Sequence, residues 1–148
     1  MVWKPNVTVA AITEKEGEFL FVEEQTSDGI KLNQPAGHLE PNESLVDAVI
    51  REVREETAYD FEPKYIVGIY QFDKIGSDVS FLRVTFAGEL GCFYDDQDLD
   101  KGIIRSVWLA PSCLSSQKYA LRSPLVLDSL NDYIQGKRYS LEVIRSQY

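Results

Sequence analysis

Gly37-His38-Leu39-Glu40-Pro41-Asn42-Glu43-Ser44-Leu45-Val46-Asp47-Ala48-Val49-Ile50-Arg51-Glu52-Val53-Arg54-Glu55-Glu56-Thr57-Ala58-Tyr59 is the stretch on which the reading of this chain turns. From Ser44 to Thr57 the apolar residues Leu45, Val46, Val49, Ile50 and Val53 recur at helical spacing and form one stripe, with Asn42 or Ser44 available as an N-cap. At about 100° per residue, Glu52, Glu55 and Glu56 fall within an arc of about 100° on the flank of that helix. Ala48 shares the arc one turn earlier, so the carboxylates are expected to converge beside a methyl group that leaves room for a ligand. Acidic side chains near a helix C-terminus meet the negative end of the macrodipole, which costs about 0.3 to 1 kcal/mol each, so helix stability does not explain them. A solvated acidic face, with Arg51 and Glu55 as an i,i+4 pair and Arg54 as a further counter-charge, fits the same spacing, because Glu is a good helix former. Periodicity does not separate the two readings.

The stretch as a whole does. It closely resembles the Nudix box, GX5EX7REUXEEXGU with U a bulky apolar residue, and matches it at Gly37, Glu43, Arg51, Glu52, Val53, Glu55 and Glu56, seven fixed positions over 20 residues. Ala58 stands where the family has Gly, so a left-handed C-cap at that point would cost about 1 to 2 kcal/mol. Tyr59 stands in place of the usual aliphatic residue. Beyond the box, Asn33-Gln34-Pro35-Ala36-Gly37-His38-Leu39-Glu40, Phe81-Leu82-Arg83 and Leu121-Arg122-Ser123-Pro124-Leu125-Val126 are similar to the NudJ-type phosphatases, and that likeness spans most of the chain.

The resemblance implies an α+β fold of the Nudix type, an α/β/α sandwich with a mixed β-sheet and a catalytic loop-helix-loop. It implies hydrolysis of a phosphoanhydride bond. NudJ-type enzymes act on nucleoside tri- and diphosphates and on the diphosphate of the hydroxymethylpyrimidine precursor of thiamine. The expected cofactor is Mg²⁺, with Mn²⁺ as the alternative ion, because a small hard cation suits a few carboxylates plus substrate phosphates. By family analogy Glu52, Glu55 and Glu56 are the metal-site residues, and the Gly37 carbonyl is a fourth ligand, since a residue without Cβ allows close approach. Glu52 is one candidate general base. The family also uses acids outside the box, and here those are Asp95, Asp96, Asp98 and Asp100, each of which reads equally as part of a solvated loop. Arg51 is expected to orient the glutamates by bidentate pairing, with Glu43 as its counter-charge.

For the substrate, Arg83 shares a strand face with Phe81 and is a candidate phosphate ligand, as is Arg122; the bland alternative for each is a surface arginine. Tyr70, Phe72 and Tyr94 are candidates to stack on a base or pyrimidine ring, although aromatics on strands are more often core. His38 occupies a variable position of the box and reads as a packing or hydrogen-bonding residue.

Outward from the box, Val7 to Thr13 and Glu18 to Glu23 read as strands joined by a hairpin at Glu14-Lys15-Glu16-Gly17, with a second turn at Ser27-Asp28-Gly29. Lys31 to Leu39 reads as extended, and its Pro35 and Gly37 make it irregular or place it at a sheet edge. Tyr65 to Phe72, Phe81 to Leu90 and Ile103 to Leu109 are rich in β-branched and aromatic residues and read as strands. A last helix, Pro124 to Gln135, is expected to bury Leu127, Leu130 and Ile134 and to stop at Gly136. The order of elements gives one α+β domain over residues 1–148.

The formal charge of −9, with Lys and Arg scattered, lacks the field that drives non-specific duplex binding, so long nucleic acid is not an expected partner. A small anionic substrate is disfavoured as well unless a divalent cation bridges to it. No apolar run approaches the roughly 20 residues of a membrane span. Without a secretory signal pattern at Met1-Val2-Trp3-Lys4-Pro5, and with only Cys92 and Cys113 able to pair, the expected compartment is the cytoplasm. The expected assembly is a monomer or small homo-oligomer. Two other classes compete with the hydrolase: a non-catalytic Nudix-fold ligand sensor, against which the retained box glutamates stand, and an acidic interaction domain.

Overall fold

The computed structural model describes residues 1–116 and 118–147. Its strands are β1 (Asn6–Ile12), β2 (Glu14–Lys15), β3 (Glu18–Thr26), β4 (Gly29–Asn33), β5 (Ala36–His38), β6 (Tyr59–Asp73), β7 (Ser80–Phe93) and β8 (Ile103–Leu109). The helices are α1 (Leu45–Thr57), α2 (Ser112–Ser115) and α3 (Leu125–Ile134). One sheet is mixed and runs β5-β1-β7-β6, with β1 and β7 parallel and the other pairs antiparallel. The second sheet is antiparallel, with β3 between β4 and β8 and β2 folded back on the start of β3. That return is a tight turn at Glu16 and Gly17, both with positive φ of 54° and 81°, the twist that a two-residue hairpin requires.

Alternation along the strands splits the mixed sheet into two buried faces. Val9, Ala11, Ile66, Val84 and Phe86 face α1 and pack on Ala48, Val49 and Val53. Ile12, Val67 and Ala87 face the other way and meet Phe19, Phe21, Leu32 and Leu109 of the second sheet together with Val126 and Leu130 of α3. Helices therefore lie on both sides of the strands. Burying a Val side chain contributes about 1.5 to 3 kcal/mol, so Val49 and Val53, at 0% and 1% exposed, outweigh the dipole penalty of the acids beside them.

Several sequence expectations need correcting. Ala48 is fully buried in the α1 core, so its methyl group opens no ligand space. Ile134 is 53% exposed; α3 turns Leu125, Val126, Ser129 and Leu130 inward instead. Strand β6 begins at Tyr59, immediately after α1, and not at Tyr65. Pro63 obscured this, but β6 is an edge strand with register shifts around Pro63, where a residue without N–H is tolerated. Lys31 to Leu39 divides between β4 and β5, which belong to different sheets and are edge strands of each, so the chain crosses between sheets at Gln34 and Pro35. Among the described residues no helix is long and apolar enough to cross a membrane.

Ser44 caps α1 by accepting from the Asp47 N–H at 3.0 Å. At the other end Ala58 takes the left-handed conformation, φ 63° and ψ 18°, and its N–H donates to the Arg54 carbonyl. The helix thus ends as a glycine-capped helix would, and Ala58 bears the strain. Its methyl group is 2% exposed, and burial worth roughly 0.8 kcal/mol per carbon offsets much of that cost.

Candidate active site

The end of α1 delivers its acids to the strand crossing. β5 pairs with β1 through Gly37 and Val9 and passes directly against the Glu52 carboxyl group; a Cβ at Gly37 would collide with that group. Gly37 therefore makes the space that Glu52 occupies. Glu52, 7% exposed, Glu55 and Asp100 each offer a carboxylate oxygen within 4.8 Å of the others.

Asp100 is the one member of the Asp95, Asp96, Asp98 and Asp100 group brought into this cluster, because its backbone N–H donates to the Glu55 carbonyl at 2.9 Å. The other three remain in the exposed or half-exposed loop between β7 and β8. Glu56 lies on the same flank of α1, but its carboxylate turns onto the Ala36 N–H at 2.9 Å and stands outside the cluster.

Arg51 ties the acids together. Its Nε donates to Glu43 Oε2 at 3.0 Å and its Nη2 to Glu43 Oε1 at 2.7 Å, a two-point fork. Nη1 reaches Glu52 Oε1 at 2.8 Å and Glu55 Oε2 at 3.1 Å, and Nη2 also donates to the His38 carbonyl at 3.0 Å. The His38 side chain is exposed and contributes only this backbone oxygen.

The electrostatics show a shortage of positive charge. The hydrogen bond from Arg51 holds Glu43 below the usual carboxylate range. Burial pushes Glu52 up to about 7, with Arg51 opposing and Glu55 and Asp100 reinforcing. Burial also raises Glu55, reinforced by Asp100, and lifts Glu56 to about 9 against the Ala36 N–H. Oxygen-only donors that repel one another in this way fit a hard divalent cation such as Mg²⁺ or Mn²⁺. Glu52, Glu55 and Asp100 are the side chains positioned to hold it.

The substrate candidates scatter more widely. Arg83 is 5% exposed and lies on the face of β7 opposite α1, beside Tyr70 on β6. Its guanidinium donates to Asn33 Oδ1 at 3.2 Å and Gln34 Oε1 at 2.6 Å, and Gln34 Nε2 donates in turn to the Val126 carbonyl at 2.9 Å. Among the described residues only neutral amides hold it and its Nε has no partner, and burial lowers its pKa to about 10 despite Tyr70, Glu24 and Glu56 nearby. The Tyr70 hydroxyl donates to Asp132 at 2.7 Å. Phe72 is half-buried opposite Phe81, and Arg122 is half-exposed and paired with Glu24 at 3.2 Å. Tyr94 stacks on the Arg54 guanidinium at 3.4 Å instead of offering a free face for a base.

Sequence reasoning did not single out Asn33 or Gln34 as site residues, because isolated amides carry no period or charge pattern. Shape alone does not find the site either. A cleft of about 720 Å³ lined by Glu14, Lys64, Tyr65, Tyr133, Arg138 and others shares no residue with the carboxylate cluster.

The chain as a whole is similar to known proteins. A family model described as NUDIX domain matches residues 2–123. The protein Phosphatase NudJ of Shigella flexneri is 42% identical over 144 residues, which cover 97% of this chain and 92% of that protein. Among solved structures, a NUDIX hydrolase from Nitrosomonas europaea matches with a TM-score of 0.93 at 43% identity, covering 97% of this chain and 98% of that one. A MutT protein from Methanosarcina mazei Go1 matches with a TM-score of 0.70 at 26% identity, covering 91% of this chain and 97% of that one.

Proposed function

The chain belongs to the Nudix family and is a hydrolase of that family, and on that premise we propose that it cleaves the phosphoanhydride bond of a nucleoside tri- or diphosphate or of a pyrimidine diphosphate, with Mg²⁺ as cofactor. The observation that carries this reading is the meeting of Glu52, Glu55 and Asp100 beside the Cβ-less Gly37. Glu52, Glu55 and Asp100 would hold the cation through carboxylate oxygens, with the Gly37 carbonyl as a backbone ligand and Glu56 supporting from the buried side. A bound Mg²⁺ supplies charge neutralisation at the phosphate oxygens and acidity to the attacking water. Of the cluster carboxylates, Glu52 and Asp100 are the candidates that would accept a proton from the attacking water. Arg51 and Glu43 keep the carboxylates oriented.

On the substrate side, Arg83 is a cation without a carboxylate partner among the described residues and suits an anionic group, with Tyr70 opposite it on β6; Arg122 and Phe72 are the further candidates. The name Phosphatase borne by relatives at 42% identity supports a phosphorylated substrate, and the formal charge of −9 disfavours long nucleic acid. The test is a turnover screen with Mg²⁺ over nucleoside tri- and diphosphates, sugar nucleotides and hydroxymethylpyrimidine diphosphate, with phosphate and pyrophosphate identified separately. Release of neither from any of them would sink the proposal.

A further inference from the structure

Asp100 reaches the carboxylate cluster only because its loop is fastened to the end of α1. The last carbonyls of a helix have no partner within it. Here the loop between β7 and β8 bonds to this end of α1: the Asp100 N–H donates to the Glu55 carbonyl at 2.9 Å, the Tyr94 N–H to the carbonyl of the cap residue Ala58 at 2.9 Å, and Gln97 Nε2 adds a bond at 2.7 Å to the Arg54 carbonyl, which also accepts from the Ala58 N–H. Arg54 closes the attachment from the side. Its guanidinium lies 3.4 Å over the Tyr94 ring, its Nε donates to Gln97 Oε1, and its Nη1 donates to Asp60 Oδ1 at 3.1 Å. Asp60 Oδ2 accepts from the Tyr94 hydroxyl at 2.9 Å, which completes the ring of contacts.

We infer that Arg54 is a positioning residue for the metal site: by gripping Tyr94 and Gln97 it holds the loop so that Asp100 stands with Glu52 and Glu55. This rests on the metal-dependent reading given above. Arg54 occupies a position that the box motif leaves open, and no cluster carboxylate is among its hydrogen-bond partners. The need for a clamp follows from charge. Glu52, Glu55 and Asp100 place carboxylate oxygens within 4.8 Å of one another, so like charges meet there and the loop must be held against their repulsion before any cation arrives. A half-exposed ion pair such as Arg54 with Asp60 contributes little alone. Stacking on Tyr94 and the two-way exchange with Gln97, which bonds both the side chain and the carbonyl of Arg54, fix the geometry from several directions.

Charge and clamp predict opposite signs for one measurement. Removing a cation near a metal site by Arg54→Met should tighten metal binding if only long-range charge mattered; losing the clamp should weaken it. The experiment measures Mn²⁺ binding to the full chain without substrate, from the electron paramagnetic resonance of the free ion, with a melting curve to confirm folding. Asp100→Asn is expected to weaken Mn²⁺ binding about 10- to 100-fold, and Arg54→Met and Gln97→Leu by a similar factor. The double variant Arg54→Met with Asp100→Asn should bind no more weakly than Asp100→Asn, and Arg54→Lys, which keeps the charge but not the planar fork, should not restore the affinity. Unchanged or tighter binding in both Arg54→Met and Gln97→Leu, or additive losses in the double variant, would overturn the clamp while leaving the metal site intact. Wild-type protein that takes up no Mn²⁺, or Asp100→Asn and Glu55→Gln variants that both bind it normally, would overturn the metal-dependent reading itself.

Discussion

Arg51 holds Glu43 through two bonds of its planar fork, Nε to Oε2 at 3.0 Å and Nη2 to Oε1 at 2.7 Å, and this leaves Nη1 free to reach Glu52 and Glu55. An ammonium group has no such fork. Arg51→Lys therefore keeps the charge but frees the glutamates to shift, and misplacement by about 1 Å can cost around 100-fold in rate. The maximal rate should fall substantially, with a smaller change in the Mg²⁺ concentration needed for half activity. Kinetics over a Mg²⁺ series decide it; full recovery at saturating metal would show that Arg51 tunes affinity and orients nothing.

Glu55 is half-buried and lies on the flank of α1, where packing of the helix does not depend on it. Glu55→Gln should leave the circular dichroism spectrum unchanged. Turnover should fall by about 100-fold or more, because the cation it helps to hold contributes several kcal/mol to the barrier. A variant with near-normal turnover would remove Glu55 from the metal site.

Substrate affinity should depend on the cation in the same way. The box acids repel phosphate, and the chain carries a formal charge of −9. Titration of a non-hydrolysable nucleotide should show weak binding in chelator and at least about tenfold tighter binding in Mg²⁺. Equal affinities would argue against a metal bridge between the acids and the phosphates.

The raised carboxyl groups also set a pH dependence. In the fold Glu52 titrates near 7 and Glu56 near 9, both above their ordinary value of 4.5. Between pH 4.5 and about 9 the folded protein holds protons that the unfolded chain has released, so stability is highest at the bottom of this window and declines as pH rises through it. Glu43, whose value is lowered, acts in the opposite sense and only at lower pH. Thermal melts in chelator should therefore show a falling melting temperature from pH 5 to 9, a loss on the order of a few kcal/mol. Added Mg²⁺ replaces the protons, so its stabilising effect should widen with pH. A melting temperature in chelator that stays flat or rises across the window would contradict the raised values.

The amino-acid order by itself determined what is local in the site. Helical period placed Glu52, Glu55 and Glu56 on one flank of α1 and put Arg51 one turn before Glu55, because the spacing of side chains on a helix depends only on residues a few positions apart, while the roles expected of Glu43 and Gly37 came from the resemblance to the Nudix box. The same local rules located a hairpin over Glu14 to Gly17, which the structure narrows to a turn at Glu16 and Gly17 after β2, and the edge character of the stretch around Pro35. Only the tertiary structure decided which acids meet. Asp100 joins Glu52 and Glu55, while Asp95, Asp96 and Asp98 do not, because one backbone bond from Asp100 to the Glu55 carbonyl sets the height of the loop against the helix. Glu56 turns away because the Ala36 N–H, brought alongside by the crossing between sheets, offers its carboxylate a better partner. Ala48 is core and not ligand space because the mixed sheet closes over it, and Arg83 is buried among amides because alternation along β7 turns it away from α1. These choices depend on groups far apart in sequence, and no period or motif carries that information until the sheets have formed.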